Sequence, residues 1–425
     1  ADLTDLADGT LTASKVENGS YFISSAGSSG QVWTSDGSGA GDWASSSGAS
    51  NVNGLSDALI ENNSMYIGND PSSTTDGAVG NVAVGTTALD AVTTGDSNTA
   101  IGIGALSANN TGTGNTAVGF VVLPVNTSGQ YNTATGYASL YNNTTGNGNT
   151  AIGHGALYEN QTGHYNTGTG YYTLEKTTGS NNTGMGYKAL QDNTTGTGNV
   201  AIGHESLDEN TTANYNTSVG YQSMTNNTTG VENTAVGMLS LKSNNGSFNT
   251  AVGGKSLTSN STGGGNAAMG MFTMEGNSTG SMNSAFGYAS LSINSSGSYN
   301  TATGGRAGDI ITTGTNNVML GYGTDPSAAD ATNQIVVGYN AAGHGDNIAV
   351  IGNTDMTAWH PADDGGVDLG SSSYEFKDLY VDGVAYVDGL DLNGTTVSAT
   401  AAELNIMDGV TATATELNLI DGVTA

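Results

Sequence analysis

Asn149-Thr-Ala-Ile-Gly153-His-Gly-Ala-Leu157, followed by a polar stretch that ends at Gly163, is one copy of a frame that repeats along most of the chain. Its glycine returns from Gly68 through Gly85, Gly102 and Gly119 to Gly352. The step is seventeen positions except for two of sixteen (Gly170 to Gly186, Gly237 to Gly253) and a last one of fourteen (Gly338 to Gly352). A register held over about eighteen copies identifies a stacked repeat, in which each unit buries its apolar side against its neighbours.

Within a copy, Asn-Thr-Ala-x-Gly alternates as a short strand does, with an apolar residue before the glycine (Val84, Ile101, Val118, Ile152, Ile202, Val236, Phe286). Four residues after the glycine comes Leu or Met in thirteen consecutive copies, Leu89 to Leu291, which reads as a second strand. A segment such as Asn142-Asn-Thr-Thr-Gly146 then supplies the turn, because Gly and Asn accept left-handed backbone angles. The two short copies lose their residue between the Leu and the turn glycine (Leu174 to Gly179, Leu241 to Gly246), where a loop tolerates deletion. Two strands and two turns in so short a copy make a flattened coil. At a rung spacing of ~4.8 Å the repeat region extends roughly 80–85 Å.

The expected architecture is therefore all-β, a β-solenoid or β-roll. Ladders of like side chains should run along it: one apolar stripe from the position before Gly, another from the Leu, and columns of Asn at the turns. One rung's apolar set is too small to shield a coil alone, so the coils should associate, most simply as a parallel homotrimer. Thr replaces the apolar residue at Thr135, Thr169 and Thr303, each four residues after a tyrosine (Tyr131, Tyr165, Tyr299). Tyr215 with Val219 breaks the rule, which suggests volume compensation within a rung.

Composition agrees with a thin core and many turns: 66 glycines, 36% hydrophobic residues and 10% charged among 425 residues. The formal net charge of −30 argues against nucleic acid and anionic membranes, since phosphate binding draws on Lys and Arg. Uniform negative charge also keeps a long fibre from clumping. There is no cysteine, hence no disulfide, and no run of ~20 apolar residues to insert in a membrane. The start of the sequence shows no secretory signal pattern.

The Asn-Thr-Ala-x-Gly rungs from Gly68 to Gly352 resemble the head repeats of trimeric autotransporter adhesins, which are trimeric left-handed β-rolls. The flanks are similar to bacteriophage tail and virion fibres instead. The segment Gly370-Ser-Ser-Ser-Tyr374-Glu-Phe376-Lys-Asp378-Leu-Tyr380 carries that resemblance, as does the 13-residue tandem Thr400–Gly409 and Thr413–Gly422. The resemblance implies a homotrimeric virion fibre that contacts other virion proteins and a host-surface glycan or protein receptor, with a bacterial adhesin head as the alternative. The expected organisation is a Ser/Gly-rich stalk or attachment segment over 1–60, the solenoid over 61–356, a connector with short strands over 357–390 and a repeat stalk over 391–425. Asp70-Pro71-Ser72 and Asp325-Pro326-Ser327 are expected to mark the capping rungs, because proline offers no N–H to a further strand.

No catalytic, cofactor or metal residues are assigned from sequence, and the receptor-binding residues are unknown. His154 and His204 share the position after Gly with Tyr137, Tyr171, Tyr187 and Tyr221. Three rungs separate the two histidines, roughly 14 Å, too far to share a metal. The column reads as a stiffening ring ladder or, alternatively, an aromatic track for sugars. The neighbours His204-Glu205 and Asp363-Asp364 should point to opposite faces if they lie in strands, which leaves no paired carboxylates for glycan cleavage. Asp363, Asp364 and Asp368 could supply oxygen ligands to calcium, although without EF-hand spacing.

Overall fold

The computed structural model describes residues 31–35, 41–45, 58–68, 75, 77–360, 369–385, 391–392 and 395–396. Everything described is strand, turn or irregular chain. Strands β1 (Gln31–Ser35) and β2 (Gly41–Ser45) pair antiparallel, with Trp33 opposite Trp43. A second hairpin, β3 (Ala58–Glu61) and β4 (Ser64–Ile67), turns through Asn62 and Asn63 at φ 47° and 58°. Two successive positive φ values are what a tight hairpin needs, and Asn tolerates them. After β4 the pairing becomes parallel, each strand with the next. Seventeen three-residue strands, β5 (Val82–Val84) to β21 (Ala349–Ile351), continue the ladder.

The chain is therefore a parallel β-solenoid, and hydrogen-bonded equivalents such as Asn132 and Asn149 stand one rung, or seventeen positions, apart. Register survives both short rungs: Thr167 pairs with Thr183 and Thr234 with Thr250, the lost residue falling between the buried Thr177 or Asn244 and the turn glycine.

Two expectations about the rung need correction. Each turn of the coil carries one strand, not two. Leu157 lies in a turn at φ 56°, as do its equivalents from Leu89 (51°) to Leu291 (49°). The residue two after the glycine and the residue before the Asn are left-handed as well, at 52° for Ala138 and 56° for Tyr165. Three left-handed columns per rung curl the chain tightly enough to close each short turn of the coil, although such angles are unfavourable outside Gly and Asn. Inter-rung hydrogen bonding nevertheless continues through the curl: Gly155 N–H donates to Tyr137 O (3.0 Å) and Leu157 N–H to Thr173 O (3.0 Å). The rung glycine is obligate. Gly153 has φ 131°, and a Cβ there would collide with the carbonyl of Gly170 one rung on.

The second correction concerns which side of the strand faces inward. Ala151, at the strand centre, is fully buried, whereas Ile152 before the glycine is 44% exposed. The leucines reach across from the opposite wall, so that a Cβ at Gly168 would already touch Leu157. That leaves room for Ala, Gly or Ser at the strand centre, and the larger β-branched residue must point out. The expected stripe exists, but on the surface.

The other end of the rung's interior is polar. Asn149 N–H donates to Asn132 Oδ1 (2.9 Å), and Asn149 Nδ2 donates to the turn carbonyl of Gly163 (2.9 Å). Asn166 N–H in turn donates to Asn149 Oδ1 at 2.9 Å. A second column three residues after the Leu does the same, Asn143 Nδ2 donating to Asn126 Oδ1 (2.8 Å) and Gly146 O (3.2 Å). Both columns are buried. The second is interrupted where Thr177 and Ile311 take the place of Asn, and Oδ1 of Asn160 and of Asn294, one rung earlier, then lacks a partner.

Three of the four tyrosines before the rung asparagine pack between rungs. The rings of Tyr131, Tyr165 and Tyr215 lie over Gly114, Gly148 and Gly198, the same position one rung earlier. This packing between rungs includes Tyr215, which the in-rung rule left out, but not Tyr299, which follows Met282 in the same column. Within the core, Thr173 fills the space of the Cβ that Gly184 lacks.

Asp325-Pro326-Ser327 does not end the stack. Asp325 N–H donates to Ala341 O (3.0 Å), and strands Ile335–Val337 and Ala349–Ile351 follow it. The turn leaves the proline's missing N–H unneeded. Asp70-Pro71-Ser72 lies outside the described residues. At the last rung, Met356 folds onto Gly352 and occupies the place that the next rung fills elsewhere. Residues from Thr357 form a separate unit. It contains a bridge between Ser371 and Tyr374 and the antiparallel pair β22 (Asp391–Leu392) and β23 (Thr395–Thr396). The tandem Thr400–Gly422 lies outside the described residues.

Candidate binding surface

Because the rungs stack in register, any position that points outward becomes a row. The position after the rung glycine gives seven successive rings: Phe120, Tyr137, His154, Tyr171, Tyr187, His204 and Tyr221. Centroid separations along the row are 5.7, 4.8, 5.0, 5.6, 4.8 and 5.3 Å, with planes within 24° of parallel. The rung repeat sets this spacing, which coincides with that of favourable ring stacking. Tyr171 and Tyr187 stand between His154 and His204. The faces of the inner rings are covered by their neighbours, so the row offers edges, hydroxyls and imidazole nitrogens to the outside. A sugar cannot lie flat on any inner ring.

Beside it runs the apolar row before the glycine, with Ile101 41%, Ile152 44%, Met185 46% and Phe286 39% exposed. The two rows flank the glycine column in the sequence of every rung. An apolar strip of this length on a chain with net charge −30 is unusual, because surface hydrophobics normally occur scattered.

His204 and Glu205 depart from expectation. They lie in a turn with Glu205 at φ 51°, and His204 Nδ1 comes within 3.7 Å of Glu205 Oε2. Strand alternation therefore does not separate them. Glu205 also accepts from Gln222 Nε2 at 2.7 Å, which ties it to the next rung. Asp363, Asp364 and Asp368 lie outside the described residues.

Two carboxyls were not singled out by sequence. Burial, reinforced by Asp192, pushes Asp208 up to about 6, and its Oδ1 has no hydrogen-bond partner. Burial with Asp309 nearby does the same to Asp325, also about 6. In its column Asp208 lies one rung after Gln191, whose side-chain amide donates to Glu175 on the other side.

No protein family matches the chain, and no curated protein is similar to it.

Proposed function

We propose that this chain is the shaft of a virion fibre, a structural and adhesive element that assembles as a parallel homotrimer and contributes to attachment at a host surface. The observation that carries the reading is the outward apolar row, Ile101, Ile152, Ile202 and their equivalents, which runs unbroken from Met185 to Phe286 and is interrupted by threonine at Thr135, Thr169 and Thr303. Three coils placed with these rows toward a common axis would remove the strip from water, at about 25 cal/mol per Å² of apolar surface buried. The repeated rung supplies length and stiffness, and net charge −30 limits lateral clumping.

Mass measurement by light scattering tests the assembly: the expected value is three times 42.4 kDa, and a monomer overturns it. Replacing Ile152 and Ile202 by Asp should release single coils. Antibody raised against the rungs should decorate purified phage particles. Decoration of bacterial cells instead would favour a surface adhesin head, the reading suggested by the rung resemblance.

A further inference from the structure

Beside the ring row, between Phe120 and Tyr172, the surface opens into a trough of about 430 Å³. One wall is the ring row itself, through Phe120, Tyr137 and His154. The other is a second stack, Tyr141 on Tyr158, with centroids 4.9 Å apart and planes 5° from parallel. Val121 and Ala138 form the floor. Tyr172 closes one end with its ring turned 86° to that of His154, next to the carboxylate of Glu175.

Three columns of the sequence have to agree for this trough to exist. Two residues after the rung glycine stand Val121, Ala138 and Gly155, but Tyr172, Lys188, Glu205 and Gln222 in the rungs that follow, where a long side chain fills the space. Small residues recur at that position in Gly104, Ala289 and Gly323, yet the second wall is then only Ser107, Ser292 and Pro326. Tyr141 and Tyr158 are consecutive aromatics in a column otherwise made of Asp, Ser, Pro, Glu, Gln, Thr, Lys and Gly. A ladder whose sole purpose is stiffness has no need for this coincidence.

From this geometry we infer that the trough is a binding site for a short neutral saccharide, which gives the adhesive reading above, on which the inference rests, a ligand class. The faces of Tyr137 and His154 are covered on both sides, so a cation would find no open ring face there. An anion would meet Glu175 and a chain of net charge −30. What the trough offers is the phenol hydroxyls of its tyrosines, the His154 ring and the Glu175 carboxylate, above aliphatic carbon. Desolvation and the neighbouring Tyr141 raise the Tyr158 phenol further above a value that already leaves it protonated, and a donor, at neutral pH. Alternating donors and acceptors over a C–H floor match the hydroxyls and ring carbons of a pyranose, and the volume falls within the usual range for small-ligand sites.

The test is titration of the full chain with neutral di- and trisaccharides of glucose, galactose and N-acetylglucosamine, read by tyrosine fluorescence and calorimetry. At least one should bind, and Ala138→Leu or Tyr158→Ala should weaken it by about tenfold or more. Leucine is already accommodated in that column at Leu239, φ 60°, so filling the trough should leave melting unchanged. Tyr221→Ala, in the ring row but away from the trough, should bind as the parent does. Three outcomes overturn the inference: no panel member binding at about 10 mM, undiminished binding by both trough variants, or preference for sialylated sugars or tetramethylammonium. None of these touches the fibre reading, which particle labelling decides.

Discussion

The two ends of each rung's interior are buried to the same degree and held by different physics. At one end Ala151 and Leu157 exclude water with methyl groups; at the other Asn149 and Asn143 exclude it with a closed set of amide hydrogen bonds. An apolar residue is judged by volume. A ladder asparagine is judged by whether every donor and acceptor of its neighbours keeps a partner. The same coil can therefore tolerate Met224 or Met274 in the leucine column without a gap in bonding, while Thr177 in the asparagine column strands a carbonyl one rung earlier.

Substitutions can sharpen that contrast, beginning with the most damaging. Asn149→Leu should cost about 4 kcal/mol, because it orphans the buried Asn166 N–H and overfills the turn as well. Urea unfolding would measure the loss, and hydrogen exchange should show it centred on rungs 132–166. Leu157→Ala should cost about 3 kcal/mol through an unfilled cavity, with no new fast-exchanging amide in the asparagine column. If both variants open the same amides, the two ends are not independent. Asn160→Thr should be milder, about 1 kcal/mol, since its Oδ1 already lacks a partner and the loss is confined to the Nδ2 bonds to Asn143 and Gly163.

The smallest effect is a pH dependence. Asp208 has its folded-state pKa raised from 3.8 to about 6, so the folded chain holds this proton more tightly than the unfolded chain. The contribution of Asp208 to stability should be fully present below about pH 4 and be lost as pH rises through about 6. Asp208→Asn should therefore reduce the gain in melting temperature between pH 7 and pH 5. Asp325, raised in the same way, should add a second contribution of the same sign.

Much of this was legible in the sequence because the repeat makes each position a column. The regular step, the site of the deletions after Leu174 and Leu241, and the buried asparagines all follow from side chains that recur. The left-handed angles did not, since Leu157 or Tyr165 gives no hint of a positive φ; closure of the coil imposes it against local preference. Nor could three residues of alternation decide whether Ala151 or Ile152 faces inward. That answer lies with Leu157, whose reach from the far wall leaves space for one methyl group. The trough was hidden for a related reason. It is formed by the agreement of Ala138, Tyr137 and Tyr141 with the next rung, and no single column announces it.

Met356 on Gly352 has a consequence for growth. Each rung is a template, and its upper surface accepts any chain that repeats its outline. A parallel stack left open would recruit the end of another molecule as readily as its own next turn. At one end the reversed strand β3 spoils the match, and at the other a single thioether occupies the vacant berth. Exchange of that methionine for glycine would leave a polymer seed.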